Sequence, residues 1–544
     1  MANKGRISRR KFIGTAAAAS TALTLSPGFA FAGSSGNAGN EKSAAELPAA
    51  AATGLSGDPY PSVRIPDFKI ADGPFKPNWE SLRKGYTCPE WFRDAKFGIW
   101  AHWGPQCVPE AGDWYARGMY TEGSEQYKYH LEHYGHPSEF GSKDLCHLWR
   151  AEKWDPDRLM QLYKRAGAKY FAAMAAHHDN FDAWDSKYQP WNSVRVGPKK
   201  DIIGLWAAAT RRQGLLFGVT YHVSAGRVWR EFMPVKYGSD EKGPKAGIPY
   251  DGRLTRADGK GTWWEGLYPQ DLYGPVHTVN DPCPEFVQQY LMRVDDLIRQ
   301  HHPDLICLDE ALEFAWDGIA WLGMPDLAPQ IAAHYYNSNL RWNGAKLQAV
   351  LNLKGWKGAP PWIKDAFVAD TEMDWDENKR PAPWQNEDCL MGTWHYQRDH
   401  GYRSAESVIH ELVDIVSKNG NLLLNVPLPG NGAIDDAAVS VLEDIGRWLD
   451  INGEAIYGSR PWKQFGEEQI RFTTKPGAIY ASTLGVPTAE VKTQSLAGEK
   501  IARVQLLGSN QKIEWQQTAD ALVIKPVSNW PCPHAVAFKI DLIQ

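Results

Sequence analysis

Short apolar runs alternate with amphipathic stretches from about Pro89 to Leu449. The runs are Phe97–Ala101, Lys169–Ala175, Leu215–Tyr221, Leu305–Leu308, Leu347–Leu351, Ala366–Ala369 and Asn421–Val426. Each is too short for a core helix and reads as a buried strand. Between them, Asp201–Arg212, Pro284–His301 and Ser404–Ser417 repeat apolar residues at helical spacing. Asp155-Pro156-Asp157 marks another helix start, with acids near the positive helix end. Strands alternating with helices predict parallel β/α units. About seven such units point to a (β/α)8-like (TIM) barrel. An open doubly wound sheet is the rival, but no G-x-G-x-x-G follows the first strand.

Beyond Tyr457 the pattern changes. Gln469–Thr473, Ala478–Thr483, Val504–Leu507, Lys512–Gln516, Ala521–Ile524 and Ala535–Ile540 are short, and Gly and Pro punctuate them. They predict a C-terminal antiparallel β-sandwich. The fold class is therefore α/β, with a barrel over 59–455 followed by a sandwich over 456–544.

The first 32 residues read as an address rather than as structure. Ser8-Arg9-Arg10-Lys11-Phe12-Ile13 precedes an Ala-rich apolar stretch, and Ala30-Phe31-Ala32-Gly33 offers a small-x-small cleavage site. Paired arginines before Phe resemble a twin-arginine (Tat) signal. The expected location is periplasmic or extracellular. Residues 33–58 are rich in Ala, Gly and Ser without periodicity and read as a flexible linker.

Composition narrows the function. A net charge of −5 gives no basic patch for nucleic acid outside the N-terminal signal, and no second apolar run is long enough to span a membrane. The 7 cysteines contain no C-x-x-C pair, so no zinc or redox framework is implied. The 25 tryptophans are unusual. Indole faces stack on sugar rings, although large cores also use Trp as filler.

Polar residues collect just after the predicted strands: His102; His177-His178-Asp179; Tyr221 and His222; Asp309-Glu310; Asn352 and Lys354; Asp370 and Glu372. In a barrel these positions share one mouth, where catalytic groups sit. Asp309 ends an apolar strand and suits a nucleophile; a second carboxylate could serve as acid and base. His177 and His178 also admit a Zn²⁺ reading. Neighbours on an extended segment point opposite ways, however, and no further ligand motif supports it.

Four stretches resemble the glycoside hydrolase family 29 α-L-fucosidases. They are Trp91 to Gly104 continuing through Gly112-Asp113-Trp114-Tyr115; Lys169 to Asp179 with Trp184 to Tyr188; Pro303 to Asp309; and Val416 to Asn425 with Asn452 to Tyr457. The resemblance implies a retaining exo-hydrolase with a barrel, a C-terminal sandwich and no cofactor or metal. It puts Asp309 on the nucleophile, and His102, Asp113, Trp114, His177, His178 and Tyr221 on the sugar-binding positions. Glu372 is the candidate acid/base and Glu387 the runner-up. The partner implied is a glycan ending in α-L-fucose or a similar L-sugar, with a homo-oligomer as the open option for self-association.

Two departures stand out. Glu310 follows Asp309 where the family motif has Gly, and a Trp-rich insertion runs from about Val223 to Pro282. Such a loop could wall the acceptor side, act as a lid or make a dimer contact. Three alternatives stay open: an α-L-galactosidase-type relative, a carbohydrate-binding protein without catalysis, and a metal-dependent hydrolase built on His177 and His178.

Overall fold

The computed structural model describes residue 55 and residues 57–278, 281–309, 327–354, 365–373 and 378–543. The predicted signal, most of the linker and Glu310 lie outside the described residues.

Eight parallel strands close into a barrel in sequence order. They are β1 (Phe97–Ala101), β2 (Tyr170–Ala176), β3 (Leu216–Tyr221), β4 (Leu305–Leu308), β5 (Val350–Leu353), β6 (Val368–Glu372), β7 (Trp384–Cys389) and β8 (Gly420–Asn425). β1 closes the ring on β8, with Trp100 opposite Asn425. Parallel strands are covered on both faces, which is why most of these runs are apolar throughout. Gly98 is required by crowding: a Cβ there would lie 2.4 Å from the Tyr170 ring.

The pattern of apolar runs finds seven of these strands and misses β7. Its sequence is Trp-Gln-Asn-Glu-Asp-Cys. Its polar residues are buried because their partners are inside too. Gln385 Nε2 donates to Asp370 Oδ1 at 3.2 Å, and Asn386 Nδ2 donates to Glu411 Oε1 at 3.2 Å.

Helices Ile202–Arg212 and Ala405–Ser417 begin at the side-chain caps Asp201 and Ser404, as the sequence indicates. Helix Pro284–His301 carries Arg293, which is 1% exposed. Its guanidinium grips both carboxylate oxygens of Asp182 and donates to Asn180 Oδ1 at 2.6 Å. The loop after β2 is thereby fixed to the helix layer.

The C-terminal region begins after helix Asp436–Ile456. β9 (Arg460–Glu467), β10 (Ile470–Lys475), β11 (Ala478–Thr483), β13 (Ile501–Leu506) and β16 (Val536–Leu542) form an antiparallel sheet in the order β13-β16-β11-β10-β9. β12 (Val491–Thr493), β14 (Trp515–Gln517) and β15 (Leu522–Ile524) form a second, three-stranded one. Among the described residues, no helix is long and apolar enough to cross a membrane.

Candidate active site

A cavity of about 330 Å³ opens where the barrel strands end. β1 leads into His102, β2 into His177 and His178, β3 into His222, β4 into Asp309 and β5 into Lys354. Glu372 ends β6, and Trp394 comes from the segment after β7. Asp113, Trp114 and Arg227 complete the walls.

Asp309 lies deep in this cavity and is 9% exposed. Its Oδ2 is 3.2 Å from His222 Nδ1 and 3.8 Å from His178 Nε2, and its Oδ1 is 3.3 Å from Lys354 Nζ. Burial opposes ionisation, but the Lys354 ammonium and the His222 hydrogen bond outweigh it. The carboxyl is held well below the ordinary carboxylate range.

Lys354 is the hub of the site. Its Nζ lies 3.0 Å from Glu372 Oε2 and 3.0 Å from Glu387 Oε2, in addition to Asp309. Burial works against this charge, yet the three carboxylates hold the ammonium well above its usual range. Glu372 and Glu387 differ in access. The Glu372 side chain is 35% exposed and lines the cavity, whereas that of Glu387 is 0% exposed and lies beneath it. On the barrel floor, Cys307 Sγ is 3.5 Å from Asp370 Oδ2 and 3.4 Å from Glu387 Oε1. Burial, with Glu387 close by, raises Asp370 well above the ordinary range, so it keeps its proton.

Adjacent His177 and His178 both face the cavity, with ring centroids 4.2 Å apart. Strand alternation fails here because the β2–β3 register shifts between Met174 and Ala176 and β2 has ended. Their neighbours fix their protons. Gln106 Oε1 accepts from the Ala116 N–H at 3.1 Å, so its amide nitrogen faces His177 Nδ1 at 2.8 Å. His177 must accept there and carry its proton on Nε2. His178 does the reverse: Nδ1 donates to the His222 carbonyl at 2.6 Å, leaving Nε2 as an acceptor. Burial pushes His178 down to about 3, so it is neutral. His222 donates from Nδ1 to ionised Asp309, and its Nε2 lies 3.0 Å from Thr220 Oγ1.

Two groups of metal-ligand side chains gather in the barrel. His102, His177 and His395 bring ring nitrogens within 4.8 Å of one another. A zinc ion would need lone pairs converging at about 2.0–2.1 Å. The Nδ1 lone pair of His177 is spent on Gln106, and its other nitrogen bears the proton. Cys307, Asp370 and Glu387 form the second group. Burial pushes the Cys307 thiol well up, and Asp370 holds its proton, whereas metal ligands must lose theirs. As their protons stand, His177 has no lone pair to give a cation in the first group, and Cys307 and Asp370 have none in the second.

Asp113 orders the opposite wall. Its carboxylate accepts from the Trp394 N–H at 3.2 Å and the His395 N–H at 2.6 Å. Trp114 sits in a left-handed conformation, φ 59°, with the Arg227 guanidinium 4.6 Å over its ring. A non-glycine residue held at positive φ costs free energy and is common at ligand sites.

One expected sugar contact is not in the cavity. Tyr221 is 1% exposed and packs outward against Trp184, Tyr290 and Arg293. Alternation along β3 turns Thr220 and His222 inward and Tyr221 outward, so His222 occupies the position expected for Tyr221. The insertion also differs from expectation. Trp229, Trp264 and Tyr268 are buried packing residues, Trp263 faces solvent, and Arg227 is its contribution to the cavity. Lys354 and His222 were visible as polar residues after strands. Trp394 and His395 follow the unrecognised β7 and carried no signal.

The α-L-fucosidase family model matches residues 66–454, and the α-L-fucosidase C-terminal domain matches residues 463–541. The rat tissue α-L-fucosidase is 29% identical over 468 residues, covering 82% of this chain and 87% of its own. The human tissue enzyme is 27% identical over 476 residues, covering 82% and 86%. The crystal structure of Thermotoga maritima α-fucosidase in complex with fucose superposes with a TM-score of 0.65 at 28% identity, covering 86% of this chain and 100% of that one. With a closed eight-stranded barrel, C-terminal antiparallel sheets and both family models matched in order, the chain belongs to the α-L-fucosidases of glycoside hydrolase family 29.

Proposed function

We propose that this chain is a retaining exo-α-L-fucosidase that works through a covalent glycosyl-enzyme, with Asp309 as nucleophile and Glu372 as acid/base. The observation that carries this reading is the shared contact of both carboxylates with Lys354 Nζ, at 3.3 and 3.0 Å. Their nearest oxygens can be no further apart than those two lengths laid end to end. That limit admits the roughly 5–5.5 Å separation of a retaining pair. Glu387 satisfies the same limit but has no surface on the cavity, so Glu372 is the group that can reach a leaving oxygen.

The sugar enters the cavity at the barrel mouth. His177 offers a donor and His178 an acceptor to its hydroxyls, while His102, Asp113 and Trp114 border the same space. An ionised Asp309 oxygen attacks the anomeric carbon, and Glu372 gives its proton to the departing oxygen. Water, deprotonated by Glu372, then releases the sugar and restores Asp309.

The test is release of 4-nitrophenol from its α-L-fucoside, with the α-L-galactoside alongside and Asp309→Asn as control. Asp309-dependent release, faster on the fucoside and indifferent to chelator, is expected. A faster galactoside would support the L-galactose alternative. A folded protein that binds fucose and cleaves neither would overturn the enzyme reading in favour of the binding protein. Export through the twin-arginine route is part of the proposal; Arg9→Lys with Arg10→Lys should retain the precursor in the cytoplasm.

A further inference from the structure

Lys354 lines the cavity and touches both reacting carboxylates. It is 7% exposed, and its ammonium stands between Asp309 on β4, Glu372 on β6 and Glu387 on β7. The Trp394 ring lies 5.9 Å away. We propose that Lys354 is a shared counter-ion that stays paired as negative charge passes from Asp309 to Glu372 and back, and that Glu387 is the positioning residue that tethers it. The inference rests on the assignment of Asp309 and Glu372 made above.

The charge balance explains why one ammonium suffices. Before reaction Asp309 is a carboxylate and Glu372 carries the proton. As the Asp309 oxygen bonds to the anomeric carbon, the bond to the aglycone breaks, and its electron pair leaves with the oxygen. That oxygen takes the Glu372 proton. Asp309 is now a neutral ester and Glu372 a carboxylate. One negative charge has moved from one side of Lys354 to the other, a transfer between oxygens 3.3 and 3.0 Å from the same nitrogen. In the second step a water proton goes to Glu372, the water oxygen bonds to the anomeric carbon, and the ester bond breaks to return the charge. At no stage is the buried ammonium left without an anionic partner, which would be costly.

Glu387 takes no part in the proton transfers and is 0% exposed. It gives Lys354 a partner on the barrel floor that the reaction leaves unchanged, with Cys307 alongside. On the cavity side the charged and titratable neighbours are His178 and His222 against Asp309, with His102, His177, Asp113 and Arg227 also lining the walls. With His102 and His178 neutral, first because of burial, Lys354 is the cation in direct contact with both reacting groups.

The test is the pH dependence of kcat/KM and kcat on an activated aryl α-L-fucoside for Lys354→Met, Lys354→Arg and Glu387→Gln, with melting temperatures recorded. Loss of the ammonium in Lys354→Met should move the acid limb of kcat/KM, set by Asp309 ionisation, upward by about one pH unit or more. The acid limb of kcat, set by Glu372 in the glycosyl-enzyme, should move the same way. Lys354→Arg should return both limbs toward wild type. Glu387→Gln keeps the ammonium and removes a repelling carboxylate, so its kcat/KM limb should stay at or below the wild-type pH while kcat falls. A folded Lys354→Met enzyme with unmoved limbs would overturn the inference. If Lys354→Met does not fold, wild-type kcat with unmoved limbs in Glu387→Gln would overturn it equally. Near-normal turnover in Asp309→Asn would instead remove the nucleophile assignment beneath it.

Discussion

Gln106 decides which nitrogen of His177 bears the proton. The amide oxygen of Gln106 is held by the Ala116 N–H, so its nitrogen faces His177 Nδ1 at 2.8 Å and His177 presents an N–H to the sugar. Gln106→Glu would put an acceptor in that place and move the proton to Nδ1. The pocket would then offer two lone pairs, from His177 and His178, where it now offers one donor and one acceptor. One lost hydrogen bond of about 1–1.5 kcal/mol predicts a fall of about tenfold in kcat/KM. Steady-state kinetics on 4-nitrophenyl α-L-fucoside measures this; unchanged kinetics would contradict the tautomer assignment.

Glu372 and Glu387 share Lys354 but not the cavity, and their variants should separate accordingly. Glu372→Ala should slow hydrolysis of unactivated fucosides by about 10²–10⁴-fold, because the leaving oxygen needs its proton. The kcat/KM of an aryl fucoside with an acidic phenol should fall far less. Equal losses on both substrates would count against the acid role of Glu372.

Arg293 and Asp182 form a pair buried on both sides, 1% and 0% exposed. Arg293→Met leaves the Asp182 carboxylate without its cation and removes one of the bonds that hold Asn180, two residues after His178. A loss of about 3–5 kcal/mol in folding stability is expected. Denaturant unfolding reads it directly, and a loss below about 1 kcal/mol would show that the pair is dispensable.

Glu467 joins the two C-terminal sheets. Its carboxylate accepts from Thr493 Oγ1 at 2.7 Å, Ser495 Oγ at 2.6 Å, and the N–H groups of Gln494 and Ser495 at 2.8 and 2.9 Å. Burial opposes its charge, but these donors prevail and lower it to about 2. A depressed folded-state value means that the stabilisation is complete above the unfolded value and is lost as pH falls toward the folded one. The sheets should therefore weaken between about pH 4.5 and 2. Glu467→Gln should flatten that part of the melting profile, and an unaltered slope would contradict the assignment.

The sequence exposes those parts of the fold whose burial is apolar. β4 and helix Pro284–His301 coincide with their sequence patterns because Leu305–Leu308 and the Phe286, Tyr290, Leu297 face pack against the core. β7 was hidden because Gln385, Asn386 and Glu387 are satisfied by Asp370, Glu411 and Lys354, residues distant in sequence. A polar strand carries no periodic signal when its partners come from other strands. Losing β7 also hid Trp394 and His395 behind it. Tyr221 and His222 show a second limit. Both follow an apolar run, and inward or outward direction turns on a one-residue register, which composition does not encode. Lys354 was visible as a polar residue after a strand, but its three carboxylate partners become neighbours only when the barrel closes.

The central claim is that Asp309 forms a covalent glycosyl-enzyme while Glu372 changes from acid to base. The most direct measurement is the anomeric configuration of the first L-fucose released, followed by proton NMR before mutarotation. Two displacements at the anomeric carbon predict α-L-fucose as the initial product, drifting to the equilibrium mixture. Initial release of β-L-fucose would mean a single displacement by water and would contradict the account.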